Sequence, residues 1–143
     1  MAANRASSET EQRLTQLRNG LLHLHKVLLD SERSVYERDI KKVGSPWEML
    51  DLLMHDPWFA WLRELSTLVV EIDERLADEE PATKSDADRL VGWGRTLLVP
   101  AEEGNGFAKR YFEALQRDPN VILAHAEMMK VLAAVGEEPA RPA

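Results

Sequence analysis

SPWEMLDLLMHDPWFAWLRELSTLVVEIDERL, residues Ser45 to Leu76, holds three of the four tryptophans of the chain and its clearest helix-start signals. Ser45 is a natural N-cap, because its hydroxyl can accept from a free backbone N–H of the first turn; Pro46 at N1 and Glu48 at N3 complete a capping box. Asp56-Pro57 repeats the device. A proline cannot donate to residue i−4, so one helix is expected to stop or kink at His55 and the next to begin at Pro57. In that second helix Trp58, Leu62, Leu65, Val69, Ile72 and Leu76 recur at spacings of 4, 3, 4, 3 and 4, with Phe59, Trp61 and Leu68 widening the stripe, which predicts a buried face. The first helix differs. Met49, Leu50, Leu52, Leu53 and Met54 surround it with apolar side chains, so it must be covered on both sides, by its own chain or by a partner.

Working outward, Ser8 with Glu11 forms another capping box. Leu14, Leu17, Leu21, Leu24, Leu28, Ser31 and Val35 then predict a long heptad-like helix from Glu9 to about Lys42, with Gly20 as its weakest point. Beyond the central stretch, Thr83 and Asp86 open a helix with apolar positions Ala87, Leu90, Val91, Gly94, Leu97 and Leu98. Phe107, Tyr111 and Leu115 mark a short helix after the loop Pro100–Gly106. Asp118-Pro119 starts a last helix, whose inner side is read as Ile122, His125, Met129 and Leu132, closed by Gly136. No segment alternates with period two long enough to make a strand. The expectation is an all-α helical bundle of about four antiparallel layers, two of them kinked or broken at Asp-Pro, each broken pair acting as one arm. It forms a single domain over residues 8–136, between a disordered N-terminus (1–7) and a disordered tail (137–143).

Composition narrows the chemistry. A chain of 143 residues is long enough for one continuous core. It has no cysteine, hence no disulfide, thiolate metal site or cysteine nucleophile. No apolar run reaches the roughly 18 residues of a membrane span and no signal peptide is visible, so a cytoplasmic protein is expected. The net charge of −7 is uneven: residues 1–44 carry 8 basic and 6 acidic side chains, 45–80 carry 2 and 10, and 81–143 carry 8 and 9. The one basic cluster, Arg33, Arg38, Lys41 and Lys42, is interrupted by Glu32, Glu37 and Asp39. Nucleic-acid binding is therefore not expected.

Catalytic signatures are missing. There is no glycine-rich phosphate loop after a strand, no nucleophile elbow, and no Glu-x-x-His or His-x-x-x-Glu spacing of the kind used by bundle metal sites. A looser set remains: His25 and Glu32 beside the leucine stripe, Asp73 at the edge of the central helix, His125 in the last helix, and His55 at a helix C-terminus where an imidazolium suits the dipole. Four helices could assemble these around a metal or a haem. The simpler reading makes each histidine a core residue satisfied by one hydrogen bond, with Glu32 as a donor's partner.

The phrases HDPWFAWLREL (55–65), IDERLADEEPAT (72–83) and GNGFAKRYFEALQRDPNVILAHAE (104–127) resemble those of a bacterial family of small all-helical proteins with no assigned activity. The resemblance implies a helical fold and transfers no catalytic residue. The functional expectation is a non-enzymatic binding protein that self-associates or meets another protein, with Trp47, Met49, Leu50, Leu53 and Met54 as interface candidates. A bundle holding metal or haem is the alternative.

Overall fold

Leu14, Leu17, Leu21, Leu24 and Leu28 are fully buried along one side of α1 (Ala2–Asp39). Each such side chain stabilises the fold by about 1.5–3 kcal/mol, so this stripe sets the axis of the molecule. The computed structural model describes residues 2–104 and 106–136, with side chains from Ser8 onward. The other elements are α2 (Pro46–His55), a 3-10 helix (Pro57–Leu62), α3 (Arg63–Ala77), α4 (Lys84–Leu97), α5 (Phe107–Arg117) and α6 (Pro119–Val135). The described residues contain no strand.

Side-chain pairs give the direction of each layer. Arg18 meets Asp73, His25 meets Ser66 and Glu32 meets Trp58, so α3 and the 3-10 helix run antiparallel to α1. Arg75 meets Asp86, which turns α4 back against α3. Arg13 bonds the Val135 carbonyl at 2.9 Å and His23 lies 3.4 Å from Glu127, so α6 also runs against α1. The result is the expected helical bundle. Gly20 lies at the contact of α1 with α6. A Cβ there would sit 3.0 Å from the Met128 sulfur and 3.3 Å from Val131. The position read as the weak point of α1 thus lies close under α6, where an added methyl group would press on Met128 and Val131.

Local chemistry explains most boundaries. Ser45 accepts from Glu48 N at 3.1 Å, Asp56 from Trp58 N at 2.8 Å, and Asp118 from Asn120 N at 2.9 Å, each followed by its proline. Thr83 and Asp86 form a complete capping box.

Several expectations are corrected. α1 runs from Ala2 to Asp39, so Ser8 does not start the helix and it stops short of Lys42. Glu48 accepts from Gly44 N at 2.9 Å, so the box at Ser45 is displaced by one residue. Pro57–Leu62 winds as a 3-10 helix, where residues three apart eclipse. Phe59 and Leu62 go fully inward together, as expected from their place in the stripe, while Trp58, expected to pair with Leu62, is only half-buried. α5 folds back along α6, with the Tyr111 hydroxyl on His125 Nδ1, instead of extending it as one arm. The buried face of α6 is Val121, Ala124, Met128, Leu132 and Val135; Leu132 is where it was expected, while Ile122 is exposed and His125 and Met129 sit at the edge of the stripe. The tail expected at 137–143 lies outside the described residues.

Candidate functional site

Beyond the end of α1 the chain turns through residues 40–45 and rises into α2. Glu37 holds this turn by accepting from Val43 N at 2.9 Å; that backbone N–H, with Arg33 beside it, keeps the Glu37 carboxyl below its usual range. Capping then starts α2 abruptly at Pro46. The principal neighbour of α2 is the 3-10 helix, so it lies at the periphery of the bundle. Met49 and Leu52 are buried, each 8% exposed, and Leu53 is half-buried.

The opposite side is open. Trp47 is 80% exposed, Leu50 46% and Met54 58%. Their spacings of 3 and 4 place them on one face, two turns long. A helix that is apolar all round has therefore been covered on one side only. Of the interface candidates, Met49 belongs to the fold, Leu53 lies at the margin, and Trp47, Leu50 and Met54 form the outer face.

A cavity of about 360 Å³ opens beside this face, walled by Leu50, Leu53, Met54, Phe59 and Leu62. Its polar atoms come from His25, Ser66 and Arg63. Ser66 Oγ lies 2.9 Å from His25 Nε2 and 3.3 Å from the Leu62 carbonyl. Burial lowers the His25 pKa, which keeps the ring neutral. A serine touching an imidazole has the first two parts of a nucleophilic pair, and Ser66 stands near the start of α3. Arg63 Nε donates to the Leu53 carbonyl at 3.3 Å, and the guanidinium has no ion-pair partner among the described residues.

The five metal or ligand candidates are dispersed into separate pairs. His25 is bonded to Ser66. Glu32, buried, accepts from Trp58 Nε1 at 3.0 Å and from Arg117 at 3.3 Å, tying α1 to the 3-10 helix and α5. It therefore serves neither histidine, contrary to the simpler reading above. Asp73 pairs with Arg18, and exposed His55 lies 3.1 Å from Asp51 on its own helix. His125 meets Tyr111, whose phenol is pushed up by burial while the imidazole pKa is lowered for the same reason. Among the described residues no three His, Asp or Glu side chains come together as a metal-holding group. Trp58 and Trp61 also leave the His55 junction, Trp58 for Tyr36 at 5.7 Å and Trp61 for Phe107 at 5.2 Å.

Sequence reasoning missed Ser66, Arg63 and Tyr111. Their only signal was position: Ser66 lies one residue from the Leu65 stripe, and Tyr111 was taken as plain core. No described helix is long and apolar enough to cross a membrane. No family model, curated protein or solved structure matches the chain.

Proposed function

We propose that this chain is a cytoplasmic, non-enzymatic interaction protein that self-associates through the outer face of α2. The observation that carries this reading is the exposure of Trp47, Leu50 and Met54 on one face of a helix whose opposite face is already docked. Leaving an indole, an isobutyl group and a thioether in water forgoes the favourable transfer of about 25 cal/mol for each Å² of apolar surface, which a partner recovers. Tryptophan and methionine are also the residues that make adaptable, high-yield contacts at interfaces. No observation favours a metal or haem reading, since the histidines are engaged in separate pairs. The test is sedimentation of the purified protein over a wide concentration range, beside Leu50→Asp. A concentration-dependent dimer, lost in the variant while circular dichroism stays unchanged, supports the reading. A monomer at every concentration overturns it.

A further inference from the structure

Where α2 meets the start of α3, the floor and the rim of the cavity of about 360 Å³ differ in kind. Phe59 and Leu62, its floor, are fully buried, while Leu50 and Met54 at the rim are open to water. The cavity is a recess reaching into the core of one chain, so its occupation does not depend on self-association. Its wall is apolar except at one place. Arg63 and Ser66 stand three residues apart on α3, so their side chains leave the helix on the same face, one turn apart. His25 comes to the same spot from α1, its Nε2 2.9 Å from the Ser66 hydroxyl. An apolar body with one polar end is the arrangement by which small-molecule sites fix the orientation of what they hold.

The polar end is positively charged. Arg63 Nε donates to the Leu53 carbonyl at 3.3 Å, and the guanidinium has no ion-pair partner among the described residues, so its two terminal amino groups remain for a ligand. Residues 45–80 are the acidic part of the chain, yet no carboxylate among the described residues lines the cavity. Asp51 is engaged with His55, and Asp56 with the Trp58 N–H. We propose that the recess binds a small organic acid with one carboxylate and a compact apolar body, the carboxylate between the Arg63 guanidinium and the Ser66 hydroxyl and the hydrocarbon between Leu50, Leu53, Met54 and Phe59. A planar carboxylate matches the paired N–H groups of a guanidinium, which an alcohol or an amine does not. Ser66 donates to it in place of the Leu62 carbonyl, which at 3.3 Å is the longer of its two contacts, while His25 donates from Nε2 to Ser66 Oγ. One cation at the cavity sets one negative charge on the ligand, because a second would be desolvated without a partner. The volume, at the lower end of ligand-holding clefts, selects a single short chain or ring over a two-chain lipid.

Octanoate, 1-octanol and octylamine share one tail and differ in head group, so titration calorimetry of the full chain with each reads the polar end directly. Octanoate is expected to bind one per chain, at least about 10-fold more tightly than octanol, with octylamine weaker still. Arg63 is exposed, so Arg63→Gln should keep the circular dichroism of the wild type; it is expected to weaken octanoate by about 10-fold or more and to leave octanol unchanged. Should that variant fail to fold, Ser66→Ala takes its place, with a loss of about 5-fold expected for octanoate and none for octanol. Met54→Trp, also at an exposed position, sets an indole over the mouth and should remove the binding of both. The His25 ring signals in proton NMR should move in step with octanoate occupancy. Octanoate that does not bind, that binds no more tightly than octylamine, or that binds Arg63→Gln as well as the wild type overturns the proposal. Binding that survives Met54→Trp and leaves the His25 signals in place overturns it too, since the acid then sits elsewhere.

Discussion

α2 and α6 are built from similar material and meet opposite fates. Each carries apolar side chains on nearly every side, PWEMLDLLMH in one and PNVILAHAEMMKVLAAV in the other. α6 lies against α1, α4 and α5, and buries five residues. α2 has the 3-10 helix as its principal neighbour and buries two. Composition says that a helix has apolar surface to hide; only the number of neighbours decides how much is hidden. The apolar excess of α6 is scattered as Ile122 and Leu123, whereas that of α2 is gathered into the stripe Trp47, Leu50, Met54. Scattered exposure is ordinary on a protein surface, and a gathered stripe is a surface prepared for contact.

The largest expected effect lies on α6. Met128→Ala empties the space under Gly20 and should cost about 2–5 kcal/mol in chemical denaturation, against a change within about 0.5 kcal/mol for Leu50→Ala in dilute protein. Equal losses would erase the contrast between the two helices. Removing the Tyr111 hydroxyl as Tyr111→Phe leaves the half-buried His125 ring without its partner and should cost about 1 kcal/mol. Acidification sharpens the comparison further. Burial depresses the folded-state pKa of both His25 and His125 below the usual 6.5, so on lowering the pH the unfolded chain takes up protons first. Stability is therefore full above about pH 6.5 and falls as the pH drops through the folded-state values. Thermal melts between pH 7.5 and 5 should show this decline, and His125→Gln and His25→Gln should each flatten it. The smallest effect belongs to α2. Asp51→Asn removes a negative charge beside the Trp47–Met54 stripe and, if the chain self-associates there as proposed, should tighten that association by a few-fold at low salt, with no change in the melting temperature of dilute protein.

Legibility in the sequence followed the same division. The starts at Ser45-Pro46, Asp56-Pro57, Thr83 and Asp118-Pro119 could be read because a cap and a proline act on their immediate neighbours. The α1 stripe could be read because its intervening residues are polar. The inner face of α6 could not, because VILAHAEMM offers an apolar side chain in almost any phase and periodicity has no minimum to lock onto. DPWFAWL failed for a related reason: apolar side chains at every position from Trp58 to Leu62 fit 3-10 winding and α winding alike. At the site, the all-round apolarity of α2 was plain, but which half the bundle covers depends on where Phe59 and Leu62 turn. The pairs His25–Ser66 and His125–Tyr111 join residues 41 and 14 positions apart, a distance at which sequence pattern carries no geometry.

Glu32 draws out a last consequence of this build. By accepting from Trp58 and Arg117 it fastens the 3-10 helix to the bundle, whereas α2 is tied by the longer contact of Arg63 with the Leu53 carbonyl at 3.3 Å and by Glu48 to the turn before it. α2 can therefore detach as a unit while α1, α3 and α6 stay closed, a sub-global opening in the sense of amide hydrogen exchange. Its N–H groups should trade protons for deuterons well before those beside Leu21 or Ile72. If a second copy docks on α2 as proposed, that exchange should slow as protein concentration rises. Deuterium uptake in α2 would then be a clock of encounter between molecules, and in α1 a clock of unfolding.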